Sequence, residues 1–102
     1  ILKLKGDFKM RMYMTKRIDE DVDNYLKAKL TRILVEKGYE KNVDYLQVFT
    51  ISNNELVVSQ EQPEKKESFR LSRNYDETTK IFAIKDRDDK GELWTILFPD
   101  EY

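Results

Sequence analysis

Residues 45–61, with the sequence YLQVFTISNNELVVSQE, decide the fold because two alternating apolar runs flank an Asn-Asn pair. Alternation with period two is typical of half-buried β-strands, and Asn tolerates the positive φ of tight hairpin turns. The pattern predicts strands over 45–51 and 55–61 with Asn53 and Asn54 in the turn. One side of this hairpin carries the apolar residues Tyr45, Phe49, Ile51, Leu56 and Val58.

The same register places two glutamines, Gln47 and Gln60, side by side on the core face. Because buried amides need hydrogen-bond partners, we expect them to bond each other or nearby backbone. Pro63 cannot donate to a sheet ladder, so we expect the second strand to end near it. A short strand around 69–71 and a loop over 72–78 then follow.

An amphipathic helix is predicted over residues 20–37. Apolar residues recur there at intervals of three and four, which places them on one helix face. They are Ile18, Val22, Tyr25, Leu26, Leu30, Ile33 and Leu34. Asp19 is a candidate N-cap, Lys37 falls in the last turn, and Gly38 suits the left-handed position after the helix.

Further strands are predicted on both sides of this central part. Residues 8–14 alternate, with Phe8, Met10, Met12 and Met14 on one side and Lys9, Arg11 and Tyr13 on the other. The apolar runs over 80–85 and 92–98 indicate a final hairpin. We therefore expect a single α+β domain over 1–102, with one α-helix packed on an antiparallel sheet of about five to six strands.

The composition excludes much catalytic chemistry. The 102 residues include no Cys and no His, so disulfides, thiolate metal sites and Ser-His-Asp or Cys-His catalysis are excluded. The three glycines form no phosphate-binding loop. We expect a protein that is not an enzyme and has no cofactor, metal or catalytic residue. A hydrolase or metal-dependent enzyme that uses Asp and Glu is a third hypothesis. Since no apolar stretch approaches a membrane span or a signal sequence, we expect a cytoplasmic protein without membrane contact.

Charge is unevenly distributed along the chain. Residues 1–17 have a net charge of +5, and residues 86–102 have a net charge of −4. The basic residues are candidates for nucleic-acid binding: Lys9, Arg11, Lys16 and Arg17. The alternative is an edge strand that Lys and Arg protect against pairing with other sheets. The acidic end either meets a basic partner or is simply solvated.

A few residues are candidates for contact with a protein partner. Trp94 is the single Trp and either anchors an interface or packs within its strand. The other candidates are Tyr102, Gln60, Glu61 and Gln62. The methionine row is either core or an adaptable binding surface.

Three stretches together resemble a known family. Residues 13–18 (YMTKRI), 44–49 (DYLQVF) and 59–64 (SQEQPE) are similar to the domain of unknown function numbered nine hundred and sixty. This is a family of small uncharacterised proteins from Gram-positive bacteria and their phages, described from staphylococci, and the resemblance spans about residues 10–70. The family pattern has a His and a Tyr where this chain has Val58 and Lys65, so no role is carried over for them.

The resemblance implies an α+β domain in a bacterial or phage cytoplasm and assigns no activity. It draws attention to Gln47 and to residues 60–63, for which a structural amide pair and a ligand site are both open. We hypothesise a non-catalytic protein-binding module, for example an inhibitor of a host or defence protein. Nucleic-acid binding through the basic N-terminal strand is the alternative, and a homo-oligomer is left open.

Overall fold

Four β-strands and two α-helices make up residues 10–102, the part of the chain that the computed structural model describes. The elements are β1 (Arg11–Met14), α1 (Lys16–Asp21), α2 (Asn24–Lys37), β2 (Leu46–Glu61), β3 (Glu64–Asp88), β4 (Gly91–Leu97) and a 3-10 helix (Pro99–Glu101). The predicted α+β class is confirmed. The prediction of five to six strands and one helix is matched only in part. The predicted strands over 45–51 and 55–61 both lie in β2, those around 69–71 and over 80–85 both lie in β3, and the predicted helix is divided.

The sheet has the strand order β1-β4-β3-β2 and is mixed rather than antiparallel. The predicted final hairpin is confirmed as β3 and β4, with Asp88 opposite Gly91. Gly91 has a φ of 118°, which favours glycine at this turn. β1 lies parallel to β4, with Tyr13 opposite Thr95, so the prediction of a purely antiparallel sheet is wrong. Along the chain, the helices and the two long strands β2 and β3 lie between β1 and β4. After them, β4 runs beside β1 in the same direction.

β2 reverses direction within its own length. Both halves of its 16 residues pair with β3, with register shifts around Asn53, yet Gln47 Nε2 lies 2.9 Å from Gln60 Oε1. A straight strand would hold these two residues roughly 43 Å apart. Asn53, with a φ of 55°, lies at the reversal. The two predicted strands are therefore two halves of one strand, and the predicted contact between the glutamines is confirmed.

β3 follows the outside of this reversal. Four residue steps separate Ile51 from Glu55 on β2, whereas nine separate their partners Thr79 and Arg70 on β3. The five extra residues supply about 16 Å of extended chain, close to the roughly 15 Å that an outer strand needs around such a turn. The predicted loop over 72–78 is consequently part of β3.

The predicted end of the second strand is confirmed. Glu61 pairs with Glu64, and the turn between them contains a cis peptide bond from Gln62 to Pro63. Because Pro63 has no N–H, it lies in the turn rather than in the ladder.

The apolar stripe of the predicted helix is shared by two helices. Thr15 caps α1, where its hydroxyl accepts a bond from Ile18 N, and Asp23 caps α2 by accepting from Leu26 N at 2.8 Å. Val22 has an extended backbone between the two helices. Asp19 is therefore not an N-cap, since the carboxylate of Asp23 captures the free N–H groups and starts a new helix.

The end of α2 carries a buried lysine. Lys37 lies in the last turn as predicted, and its Nζ lies 3.2 Å from Glu67 and 3.6 Å from Glu40. The ion pair between Lys37 and Glu67 joins the helix to β3. Gly38 has a φ of −63°, so the predicted left-handed conformation is wrong.

The core lies between the helices and one face of the sheet. Its fully buried side chains include Ile18, Leu30 and Leu34 from the helices and Phe49, Ile81, Trp94 and Ile96 from the strands. The methionines at positions 10, 12 and 14 are partly buried against this cluster. The predicted strand from residue 8 is seen as β1, while Phe8 and Lys9 lie outside the described residues.

The bend of β3 is attached to the start of α2. Tyr75 donates its hydroxyl to Asp23 Oδ2 at 2.9 Å, and Ser72 N donates to the hydroxyl of Tyr25 at 2.8 Å. The guanidinium of Arg73 lies 5.4 Å from the centre of the Tyr25 ring. Burial and the neighbouring Asp23 carboxylate raise the pKa of Tyr75 to about 12.

This pKa predicts a loss of stability at alkaline pH. An unfolded tyrosine loses its proton near pH 10, whereas folded Tyr75 retains it to about pH 12. The folded state then binds more protons, so the contribution is complete below about pH 10 and is lost as pH rises to about 12. Urea unfolding followed by circular dichroism should show a steeper loss for the wild type than for Tyr75→Phe. Tyr39→Phe, at an exposed position, should behave as the wild type. Equal slopes for all three proteins would contradict the expectation.

Candidate functional site

The two faces of the sheet differ in how they are covered. Side chains alternate between faces along each strand, and the helices pack on the face that contains Phe49, Ile81 and Trp94. The opposite side, here called the outer face, carries apolar side chains that are only partly buried and lie outside the core cluster. These are Leu46 and Val48 on β2 and Phe82 and Ile84 on β3. Val48 pairs with Phe82, and Leu46 pairs with Ile84, so the four side chains form one patch.

Exposed tyrosines border the outer face. Tyr13 is 50% exposed and lies opposite Thr95, which in turn pairs with Ile84. The ring of Tyr102, 67% exposed, packs edge to face on Phe82 with 6.0 Å between centroids. The outer face thus combines half-buried aliphatic groups with accessible aromatic rings.

Tyr45 joins this border at one end. The hairpin register placed Tyr45 on the apolar side, but it precedes β2 and is 51% exposed, so that placement is wrong. Its hydroxyl lies 3.5 Å from the hydroxyl of Tyr102. This hydrogen bond raises the pKa of Tyr45, and the neighbouring carboxylates of Asp44 and Glu61 add to the effect. Both carboxylates therefore lie close enough to Tyr45 to disfavour the loss of its proton.

A small cavity lies beside Tyr45, and we call it the Tyr45 notch. It has a volume of about 130 Å³ and is lined by Asp44, Tyr45, Leu46, Val48, Ser59, Gln60 and Glu61. The carboxylate of Asp44 is fixed by three backbone donors. Tyr45 N donates at 2.8 Å, Gln62 N at 3.0 Å and Glu61 N at 3.3 Å. Asp44 thus ties the start of β2 to its end and holds a negative charge at the notch.

The glutamine pair lies beneath this region. Gln60 Oε1 accepts from Asp44 N and from Gln47, and Gln60 Nε2 donates to the carbonyls of Asn42 and Pro63. All four hydrogen-bonding positions of this buried amide are used. Gln47 donates to Asp44 O and to Gln60, while its Oε1 has no partner in the described part of the chain. The hydrogen bonds of Gln60 are those expected of a structural amide pair, the first of the two alternatives for this motif. Glu61 and Gln62 are exposed.

Trp94 does not lie on the surface. Its side chain is fully buried, so it offers nothing to a partner, and the expectation of an interface anchor is corrected. The packed-strand alternative describes its position, because Trp94 points with Ile96 into the core beneath the helices. Tyr102, the other aromatic candidate, is exposed on the outer face.

The predicted basic surface is largely paired with acidic residues. Arg11 makes two hydrogen bonds to the carboxylate of Asp88, one of them 3.1 Å long, and Arg17 Nη1 lies 2.9 Å from Asp100. The pKa of Asp88 is lowered mainly by its bond to Arg11. The basic start and the acidic end of the chain thus neutralise each other in part.

The two remaining basic candidates add little to this surface. Lys16 lies 3.9 Å from Glu20, and Lys9 lies outside the described residues. Nucleic-acid binding stays a prediction.

Within residues 10–102, no group of three or more Asp or Glu side chains is placed to hold a metal ion. No helix of that part of the chain is long and apolar enough to cross a membrane.

The comparisons with known proteins give no relatives. No protein-family model matches the chain, and neither the curated proteins nor the solved structures contain a significant match. The resemblance to the staphylococcal family stays a prediction.

Proposed function

We propose that this protein is a non-catalytic protein-binding module whose outer face docks on another protein. The observation that carries the proposal is the outer face, where Leu46, Val48, Phe82 and Ile84 are only partly buried, whereas within residues 10–102 the helices pack on the other face. Contiguous apolar side chains that solvent still reaches are a common feature of protein interaction sites.

The composition of the border supports a protein partner. Tyr13, Tyr45 and Tyr102 are all at least half exposed, and tyrosine is enriched in protein interfaces and among their hot spots. Each ring has an apolar body and a polar hydroxyl, so it contributes contact area at low conformational cost. Regular strands hold the patch rigid, which lowers the entropy lost on binding.

Inhibition of a host or defence protein is one form that such binding would take. It requires a surface and no chemical step, in keeping with a chain that has no His and no Cys. The bacterial or phage setting and a cytoplasmic location are part of this proposal and come from the family resemblance.

The proposal is tested by affinity capture with paired variants. Val48→Glu places a charge in the apolar patch, and Val35→Glu makes the same change on the exposed side of α2. A second pair of variants introduces no charge: Tyr13→Ala changes the border of the outer face, and Tyr39→Ala is its control. We expect one partner to be retained by the wild type and by both control variants, and to be lost with Val48→Glu and Tyr13→Ala.

The captured protein is then purified, and its affinity is measured by calorimetry. We expect the outer-face variants to weaken binding at least tenfold while circular dichroism shows an unchanged fold. Two results would contradict the proposal: equal binding by outer-face and control variants, or light scattering that shows only self-association through this face.

A further inference from the structure

We propose that the Tyr45 notch receives the cationic head of an arginine or lysine side chain of the protein partner. The inference rests on the proposed function and deepens it, since it assigns the partner a basic residue at one end of the docking surface. The second exposed ring, Tyr102, then lies beside the incoming group, with its hydroxyl 3.5 Å from that of Tyr45.

The size of the notch suits such a group. A volume of about 130 Å³ corresponds to roughly four water molecules, and a guanidinium has four heavy atoms. Part of the lining is apolar, from Leu46 and Val48, which suits the methylene stem that carries the charged head.

The two charged side chains that line the notch are both acidic. Asp44 and Glu61 line the notch, and neither forms an ion pair within residues 10–102. Backbone donors hold the Asp44 carboxylate in place, so no rearrangement is needed before a cation binds. Both carboxylates also contribute to the raised pKa of Tyr45, which shows that their field reaches the phenol.

Aromatic rings add a second attraction for the same kind of group. A guanidinium or ammonium is drawn to the face of a tyrosine ring, and arginine also stacks on it. Exposed Tyr45 lines the notch together with the carboxylates, and the hydroxyl of exposed Tyr102 lies 3.5 Å from that of Tyr45. Carboxylate and aromatic face together recognise a cation, whereas an anion or a phosphate backbone would be repelled.

The test uses N-acetyl-arginine amide as the probe and N-acetyl-citrulline amide, its neutral isostere, as the control. Both are titrated into the full chain while amide resonances are followed by nuclear magnetic resonance. We expect the arginine probe to shift the resonances of Asp44, Tyr45, Glu61 and Tyr102, and the citrulline probe to shift them at least fivefold less at equal concentration.

Two matched variants distinguish binding of the arginine probe in the notch from its unspecific attraction to acidic residues elsewhere on the surface. Glu61→Gln removes a carboxylate from the notch, whereas Glu77→Gln removes one from the exposed bend of β3 and leaves the same net charge. We expect Glu61→Gln and Tyr45→Leu to raise the dissociation constant about threefold to tenfold, and Glu77→Gln to leave it within twofold. Equal effects of Glu61→Gln and Glu77→Gln, or shifts spread over all acidic segments, would overturn the proposal.

The inference and the proposed function fail in different ways. Binding of the probe in the notch, with no protein captured by the outer face, would support the notch and reject the module. A captured partner that is lost with Val48→Glu but binds Glu61→Gln and Tyr45→Leu as tightly as the wild type would reject the notch alone.

Discussion

Replacing Gln60 with Ala is expected to lower the free energy of unfolding by about 3 to 5 kcal/mol. The buried amide makes four hydrogen bonds, and truncation leaves Asp44 N and the carbonyls of Asn42 and Pro63 without this partner. Each buried group without a partner costs about 1 to 3 kcal/mol, in part recovered where water enters. The loss is a large fraction of the roughly 5 to 15 kcal/mol by which a domain is usually stable.

The matched control is Gln62→Ala in the same turn. Gln62 is exposed and contributes its backbone N–H rather than its side chain, so its replacement should change the free energy by less than about 0.5 kcal/mol. Gln47→Leu should fall between the two, since Gln47 makes two bonds and already leaves its carbonyl oxygen without a partner. Urea unfolding followed by circular dichroism measures all three. A Gln60→Ala protein within 1 kcal/mol of the wild type would contradict the expectation.

Trp94→Ala should cost about 3 to 5 kcal/mol, because it removes the largest fully buried side chain and leaves a cavity in the core. The loss includes the contacts between β4 and the helices, so we expect a fold that is unstable at moderate temperature. The effect is the opposite of that expected from a surface anchor, whose removal would weaken binding and leave stability intact.

Tyr39→Ala is the matched aromatic control. Tyr39 is 65% exposed, and its replacement should change stability by less than about 0.5 kcal/mol. Thermal unfolding by circular dichroism suits both variants. Since Trp94 is the only Trp, the fluorescence of the wild type and of Tyr39→Ala reports on the core alone. A Trp94→Ala protein as stable as Tyr39→Ala would show that Trp94 is not a core residue.

The alternation in residues 45–61 was enough to predict which side chains of β2 are buried and that Gln47 contacts Gln60. Which side chains are buried depends on the period and register of the strand. In the sequence, the core-facing residues are at odd positions before Asn53 and at even positions after it. The path of β3 was not predictable in the same way. Residues 72–78 are polar and resemble a loop, but their backbone remains in the sheet because β3 must travel around the reversal.

The predicted start of the helix is wrong for a local reason. The apolar stripe continues through Val22, so periodicity alone gives one helix, whereas the side chain of Asp23 caps a second. Several acidic residues near position 20 are plausible caps, and only the backbone shows which one accepts the bond. The parallel pairing of β1 with β4 depends on contacts across the chain, for which the sequence has no signal.

The outer face was only partly predictable. Tyr102 was a candidate from the sequence, but Tyr45, Val48 and Phe82 were assigned to the core or to ordinary strands. A nearly continuous apolar run such as that around Phe82 is typical of a strand buried on both sides, whereas Phe82 is only partly buried and lies outside the core cluster. Asp44 was missed, and its position directly before β2, beside the turn that ends the strand, is the feature that the sequence did not reveal.

Site-specific photo-crosslinking in the native cell tests the role of the outer face most directly. A photoreactive phenylalanine analogue replaces Tyr102 in one protein and Tyr39 in another, so that an aromatic side chain of similar exposure is exchanged in each. We predict a discrete adduct with one other protein from position 102 and none from position 39. Adducts of equal yield and pattern from both positions, or none from position 102, would contradict the account.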